Sequence, residues 1–318
     1  MSTAIAIATT AAASTSGIQE TTLCQVRQCV SRFLTECEIP YVVKPFDQAF
    51  HEECCTEAAR RGCPMEDTPG IPSIRPKLVS GVGMAIYTFC HLNDRPTQMY
   101  IALYTGLLMY VEDYMQRDVE IVSAFNQKYI RGDPQGHPVL DALAALLHEL
   151  PQRFEPIVAN IILTSALNYI TAVWLEHQTE TLELSPHATS FAGFSRWISG
   201  SSEAYALFVF ASRLPLLVYI QAIPDMMTFL NYSNDMLSFY KEELAGETAN
   251  HVSIVARCEG KTKEEVLRRI TEDTIACHSR LRKILMDHRE ASEILDQLFE
   301  GYVSFHASLG RYRLEELL

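Results

Sequence analysis

The stretch Thr97–Asp118, TQMYIALYTGLLMYVEDYMQRD, decides the fold class. Apolar residues occupy nearly every face of it, so as a helix it must be surrounded by protein rather than lie on a surface. A second segment of this kind, Val79–Cys90, precedes it across the turn His91-Leu92-Asn93-Asp94-Arg95-Pro96. Working outward, Leu23, Val26, Val30, Phe33 and Leu34 recur at helical spacing and predict an amphipathic helix over Glu20–Glu38. Val42–Leu78 carries Pro45, Pro64, Pro69, Pro72 and Pro76, which predicts one short helix among loops. Helices are further predicted over His137–Leu150, Phe154–Gln178, Phe191–Ser199, Glu203–Leu214, Leu216–Glu243, Lys263–Met286 and Arg289–Leu309. The breaks fall at Gly132-Asp133-Pro134, Pro151, Ser185-Pro186, Gly200 and Pro215, with a further kink or break at Pro224. Thr262 ahead of Glu264-Glu265 has the makings of a capping box. No period-2 alternation is sustained, no repeat recurs and no Gly/Ser linker divides the chain. The reading is an all-α fold, one helical bundle of about ten helices over residues 19–318. It follows a tail, residues 1–18, whose Ala/Thr/Ser-rich composition predicts disorder.

The 318 residues include 26 Lys and Arg against 39 Asp and Glu, a formal charge of −13, and no Lys/Arg run exceeds a pair. That balance argues against a nucleic-acid surface or a polybasic membrane anchor. Nine cysteines, an odd number with no C-x-x-C pair, argue against a disulfide framework or a Cys-rich zinc site and favour a reducing, cytoplasmic setting. The amino terminus lacks the basic and apolar regions of a signal peptide. The most apolar window, Ala204–Ile223, is interrupted by Ser212-Arg213, Pro215 and Gln221, which predicts a buried helix rather than a membrane span. Gly260-Lys261-Thr262 is no P-loop, since Val255 stands where the first glycine belongs, and His148-Glu149 lacks a second histidine. With no dinucleotide fingerprint and no nucleophile elbow, nothing supports redox or hydrolase chemistry.

Two segments carry candidate chemistry. In Asn231-Tyr-Ser-Asn234-Asp235-Met-Leu-Ser238-Phe-Tyr-Lys241-Glu242-Glu243, the residues Asn234, Ser238 and Glu242 recur every fourth position. On a helix they project within about 80° of one another over two turns. An amide, a hydroxyl and a carboxylate make a hard-oxygen set suited to Mg²⁺, which keeps waters and borrows phosphate oxygens, rather than to zinc. Lys241 puts a cation beside the same anion. The alternative, a solvated polar face, sits badly on a helix otherwise carrying Met227, Phe229, Leu230, Met236, Leu237 and Phe239. The second segment is Glu112-Asp113, two carboxylates ending an apolar helix, which are costly to bury unless paired; they mark either a divalent-metal site or an exposed helix end. About 120 residues apart in sequence, the two oxygen-rich helices are candidates for opposite walls of a cavity mouth.

Asn234-Asp-x-x-Ser-Phe-Tyr-Lys-Glu242 resembles the second metal motif of class I terpene cyclases, and the wording is most similar to the fungal trichodiene synthase family. Trp174-Leu-Glu176, Phe194-Ser-Arg196 with Ser199-Gly200, Gly301-Tyr-Val303, His306 and Arg311-Tyr312-Arg-Leu314 extend the resemblance over most of the chain after about Val79. It implies the class I terpenoid synthase bundle and ionisation of a prenyl diphosphate, farnesyl diphosphate by preference, with three Mg²⁺ ions, to a cyclic hydrocarbon or alcohol. It places Glu112 at the first metal-binding aspartate and Asp113 at its neighbour, which pairs with the carboxy-terminal arginine, here Arg311. It makes Arg196 the diphosphate sensor and Lys241, Arg311 and Tyr312 diphosphate donors. It also implies a homodimer as a possibility. The family's first motif usually continues with a further acid three residues on, where this chain has Gln116-Arg117, and whether Glu112 or Asp113 holds the metal stays open. Tyr87, Phe89, Tyr104, Trp174, Phe208 and Phe305 are candidates for cation–π contact with the allylic cation. Other prenyl diphosphates, a chain-elongating prenyltransferase and a helical binding protein without turnover are the rival readings.

The charge arithmetic points the same way. A prenyl diphosphate carries about three negative charges, and a protein of net −13 holds it only through divalent ions and a few local cations. Such ions neutralise a leaving group, and a closed apolar cavity protects the resulting cation from water.

Overall fold

In the computed structural model, the described residues are Ile18, 20–185, 187–211 and 214–318. The predicted disordered tail falls outside them apart from Ile18. Among the described residues the regular structure is helical, with one isolated bridge between Thr68 and Ile71.

The decisive stretch forms a helix over Arg95–Met115, capped by the Asp94 carboxylate, which accepts from the Thr97 amide at 3.1 Å. Tyr100 to Leu108 are all buried, so this helix runs through the interior as its composition requires. Asp118, an acid beyond the helix end, caps the short helix Val119–Ser123 by accepting from the Ile121 amide at 3.0 Å. That structural use accounts for an acid out of register with Glu112.

The neighbouring segment differs from its sequence reading. The helix starts earlier, at Arg75, with Pro76 tolerated in its first turn, and passes at Met84–Thr88 into a π-helical turn. Leu216–Glu243 is likewise not one helix. A short helix Leu216–Tyr219 and a 3₁₀ turn lead into Ile223–Ala245, and Pro224 sits in its first turn, where no backbone donor is lost. The segment predicted to begin at Glu203 spans Ser202–Phe208. The helices Phe125–Arg131 and His251–Glu259 lie where no helix is predicted, being too short to show a sustained apolar period. The capping box is present: the Glu265 amide donates to Thr262 Oγ1 at 3.2 Å, and the Thr262 amide donates to Glu265 at 2.9 Å.

One hydrophobic cluster runs from Val26 to Leu317. Around it, Arg75–Gly83 packs on Arg95–Met115, which also packs on Pro156–Gln178. Ile223–Ala245 packs on Lys263–Leu285 and on Ser202–Phe208, and Arg289–Ser308 packs on the π-helical turn. The last contact is close because residue 301 is glycine; a Cβ there would stand far inside contact distance of the Tyr87 carbonyl oxygen. Pro156–Gln178 is long and apolar enough to cross a membrane, with a mean hydropathy of 1.6. Its position between the Arg95–Met115 and Ser202–Phe208 helices is that of a wall of the bundle.

Gly301→Ala is expected to cost about 1–3 kcal/mol, because backbone rather than a flexible side chain must yield, and the urea midpoint measures it. A second outcome concerns His278, buried against Phe229 and Phe299, which burial pushes down to about 4. The native state keeps this imidazole neutral while the unfolded chain takes up a proton below about 6.5. Stability is therefore full above that pH and declines as pH falls towards 4. His278→Gln should flatten this dependence in unfolding curves between about pH 4.5 and 7.

Candidate active site

The α-helices Arg95–Met115, Pro156–Gln178, Phe191–Ser199 and Ile223–Ala245, with the end of Arg289–Ser308, enclose a cavity of about 410 Å³. Of the residues singled out in the sequence, Glu112, Arg196, Asn234, Glu242, Arg311 and Tyr312 line it. Glu112 comes from one side and Asn234 with Glu242 from another, so the two oxygen-rich helices do share a cavity.

Arg196 is the most constrained charge in it. Its Nη2 lies 2.9 Å from Asp235 Oδ1, and its Nε donates to Asp235 Oδ2 at 3.1 Å. Nη2 also donates to the Asn231 carbonyl at 3.0 Å and to Asn234 Oδ1 at 3.3 Å. Burial by itself would lower its pKa, but the Asp235 carboxylate outweighs that and the guanidinium is held above its usual range. The chain break after this helix is built for the purpose. Gly200 leaves no room for a Cβ against the Asn231 amide, and Ser201 adopts a left-handed φ of 45°. That strained residue is pinned by its hydroxyl, 2.8 Å from Tyr104 Oη.

Glu242 lies 3.2 Å from Lys241 Nζ, with Ser238 one turn before it on the same helix. Burial pushes its carboxyl up, while Lys241 and Ser238 pull the other way. Ser238 is buried and, like Lys241, is not on the cavity wall, so both meet the site through Glu242. Asn234, two turns earlier, is oriented by a hydrogen bond of 3.2 Å between its Nδ2 and His306 Nε2. His306 is fully buried beside the Tyr312 ring.

The Glu112-Asp113 pair divides. Glu112 opens into the cavity and accepts from the Tyr169 hydroxyl at 2.9 Å. Asp113 turns outward and pairs with Lys77. The expected pairing of Asp113 with Arg311 is therefore corrected: Arg311 instead donates to Ser80 Oγ at 3.4 Å and rests on the Tyr312 ring. Adjacent helical residues point about 100° apart, and here that rotation carries Asp113 to the surface while Glu112 enters the cavity.

The aromatic lining also differs from expectation. Phe305 is on the wall, but Tyr87, Phe89, Tyr104 and Phe208 are buried core and Trp174 is surface-exposed. Tyr169, Tyr205 and Tyr302 line the cavity in their place. Tyr169, Val173 and Glu176 all face it from one helix, and their i, i+4, i+7 spacing is the signal that a reading by aromatic type alone passes over. Burial, then Glu112, pushes the Glu176 carboxyl up. His251 and Asp235 also line the site.

The donor set tests what ion this pocket would take. Among the described residues no three His, Cys, Asp or Glu side chains converge as a ready-made cage. Asn234, Glu242 and Glu112 offer hard oxygen atoms in small number from separate walls. This suits Mg²⁺ completed by water and phosphate oxygens, and it does not suit zinc or a calcium cage.

The chain is similar to known proteins. The trichodiene synthase (TRI5) family model matches residues 73–318. The alpha-cuprenene synthase of Coprinopsis cinerea is 33% identical over 293 residues, covering 92% of this chain and 90% of that protein. The longiborneol synthase of Gibberella zeae is 36% identical over 232 residues, covering 71% of this chain and 68% of that one. Among solved structures, the linalool/nerolidol synthase from Streptomyces clavuligerus in complex with 2-fluorogeranyl diphosphate superposes with a TM-score of 0.61 at 14% identity, over 87% of this chain and 97% of that one. That likeness bears on the fold, which is the all-α class I terpene synthase bundle. With the family model matched from residue 73 to the end and a relative aligned over nearly the whole length, the chain belongs to the trichodiene synthase family and is a terpene synthase.

Proposed function

We propose that this terpene synthase is a Mg²⁺-dependent sesquiterpene cyclase that ionises farnesyl diphosphate and cyclises the allylic cation with release of diphosphate. The observation that carries the reading is one cavity whose walls present Glu112, Asn234, Glu242 and Arg196 and also Met109, Val173, Leu230 and Phe305. Polar and apolar lining in one cavity matches a substrate with an anionic head and a hydrocarbon tail. The sesquiterpene-type names of the alpha-cuprenene and longiborneol synthases favour the C15 chain, and the 2-fluorogeranyl diphosphate in the Streptomyces synthase favours the diphosphate head.

In this reading Asn234 and Glu242, steadied by Ser238, hold one Mg²⁺ and Glu112 holds others, three ions in all. Bound Mg²⁺ would neutralise the diphosphate as it leaves. Arg196 supplies a fixed cation whose donors exchange Asp235 and the Asn231 carbonyl for phosphate oxygens. Arg311 and Tyr312 add donors from the carboxy-terminal segment, and Lys241 adds positive charge behind Glu242. Asp113, turned to Lys77, takes no direct part. Tyr169, Tyr205, Tyr302, Phe305 and Tyr312 line the wall, and their ring faces stabilise positive charge on carbon while excluding water.

Incubation with farnesyl diphosphate should give a cyclic C15 product with Mg²⁺ and none after chelation, read by diphosphate release and gas chromatography with mass detection. Glu242→Gln and Glu112→Gln should each lower kcat/KM by about 100-fold or more, whereas Asp113→Asn should change it by less than about fivefold. Equal losses at 112 and 113 would contradict the division drawn between them.

Glu242 also sets a pH dependence. A proton and a metal ion compete for a carboxylate whose pKa lies above the usual range, so activity should fall as pH drops through it. Raising Mg²⁺ should move the acid limb of kcat/KM to lower pH. An acid limb that ignores Mg²⁺ would remove Glu242 from the metal site.

A further inference from the structure

An asparagine amide has two ends of nearly equal shape and opposite polarity, and only its oxygen can face a cation. Asn234 is such a residue, and the surrounding structure holds the means to choose its orientation. His306 lies one helix away, fully buried among Tyr302, Phe305 and Tyr312. Its Nδ1 is 2.8 Å from the carbonyl oxygen of Tyr302, and its Nε2 is 3.2 Å from Asn234 Nδ2.

The hydrogen positions follow from these partners. A backbone carbonyl can only accept, so Nδ1 carries the proton. With Nδ1 donating to that carbonyl, Nε2 presents its lone pair to the Asn234 nitrogen 3.2 Å away, since two N–H donors cannot face each other at that distance. A lone pair accepts only from an N–H, so Asn234 must turn its NH₂ towards His306 and its Oδ1 away. On that other side Oδ1 lies 3.3 Å from Arg196 Nη2, at the cavity. The relay runs from the Tyr302 carbonyl through a single ring tautomer to the amide oxygen.

We infer that His306 is a positioning residue which locks the Asn234 amide with its oxygen towards the metal ion. This rests on the reading of Asn234 as a metal ligand given above and adds the reason the ligand atom faces the cavity. A ligand free to flip would present NH₂ to the cation in part of the molecules, and loss of a partner that orients a ligand typically costs about 10–100-fold in metal affinity.

The probe is Mg²⁺ with inorganic pyrophosphate, titrated calorimetrically into the full-length protein. His306→Phe keeps a ring for its aromatic neighbours and removes the acceptor, and it should weaken Mg²⁺-dependent pyrophosphate binding by about 10–100-fold. Asn234→Asp provides the decisive background, because a carboxylate offers oxygen on both sides. In that background His306→Phe should change binding by less than about threefold. An effect below about tenfold on Asn234, or an equal loss on Asp, overturns the assignment in favour of a purely structural histidine. Nitrogen-15 spectra of histidine-labelled native protein test the relay without any variant. His306 should show a protonated Nδ1 and a bare Nε2, and the opposite tautomer overturns the proposal. If the native protein binds no pyrophosphate with Mg²⁺, the metal-site reading falls and this inference with it, whereas normal binding with the wrong tautomer removes the inference alone.

Discussion

A guanidinium taken out of water must find acceptors for its donors, and Arg196 finds them along one helix: the Asp235 carboxylate, the Asn231 carbonyl and the Asn234 amide oxygen. That requirement organises the mouth of the cavity. It fixes the Phe191–Ser199 helix against Ile223–Ala245, and the strained turn at Gly200-Ser201 lets the chain enter the next helix without losing this alignment. Asp235 stands next to Asn234, so the acid that holds the cation and the amide proposed to hold the metal share one turn of helix. Breaking the pair without substitute acceptors would leave a buried charge uncompensated, so any ligand that displaced Asp235 from Arg196 would have to bring oxygen atoms of its own.

The distribution of charge around the cavity bears on how a protein of net −13 would take the anionic substrate proposed for it. Glu112, Glu176, Asp235 and Glu242 all line the site, and on their own they would repel a diphosphate. Three of them have a local partner: the Tyr169 hydroxyl for Glu112, Arg196 for Asp235 and Lys241 for Glu242. Under the proposed function, divalent ions would turn the carboxylates from a barrier into a means of attachment, and metal and diphosphate binding would be mutually dependent. The small number of oxygen ligands has the same consequence, since among the described residues no group of acidic, His or Cys side chains completes a coordination sphere alone.

Much of this architecture is legible in the amino-acid sequence. All-round apolarity in Thr97–Met115 locates the central helix, and the oxygen-bearing positions Asn234 and Glu242, two turns apart, locate one wall of the cavity, Ser238 between them being buried off it. Capping at Thr262 is readable because it depends on residues three apart in the chain. Where Asp113 points is not readable, since Glu112 and Asp113 are chemically alike and differ only by a rotation of about 100° about the helix axis. Its partner Lys77 is 36 residues away in sequence. Nor does residue type tell which aromatics face the cavity: Tyr104 and Phe208 are in the core, whereas Tyr169 and Tyr205 reach the wall.

By itself the sequence determined the helical class, the position of the main breaks and the oxygen-rich face of one helix, because periodicity and capping act over a few residues. Tertiary structure decided the contents of the cavity. Arg196 acquires its role from Asp235, 39 residues on, and Asn234 its orientation from His306, 72 residues on. Such choices depend on the packing of separate helices, whose rotation about their own axes is set by the whole interior rather than by any local run of residues.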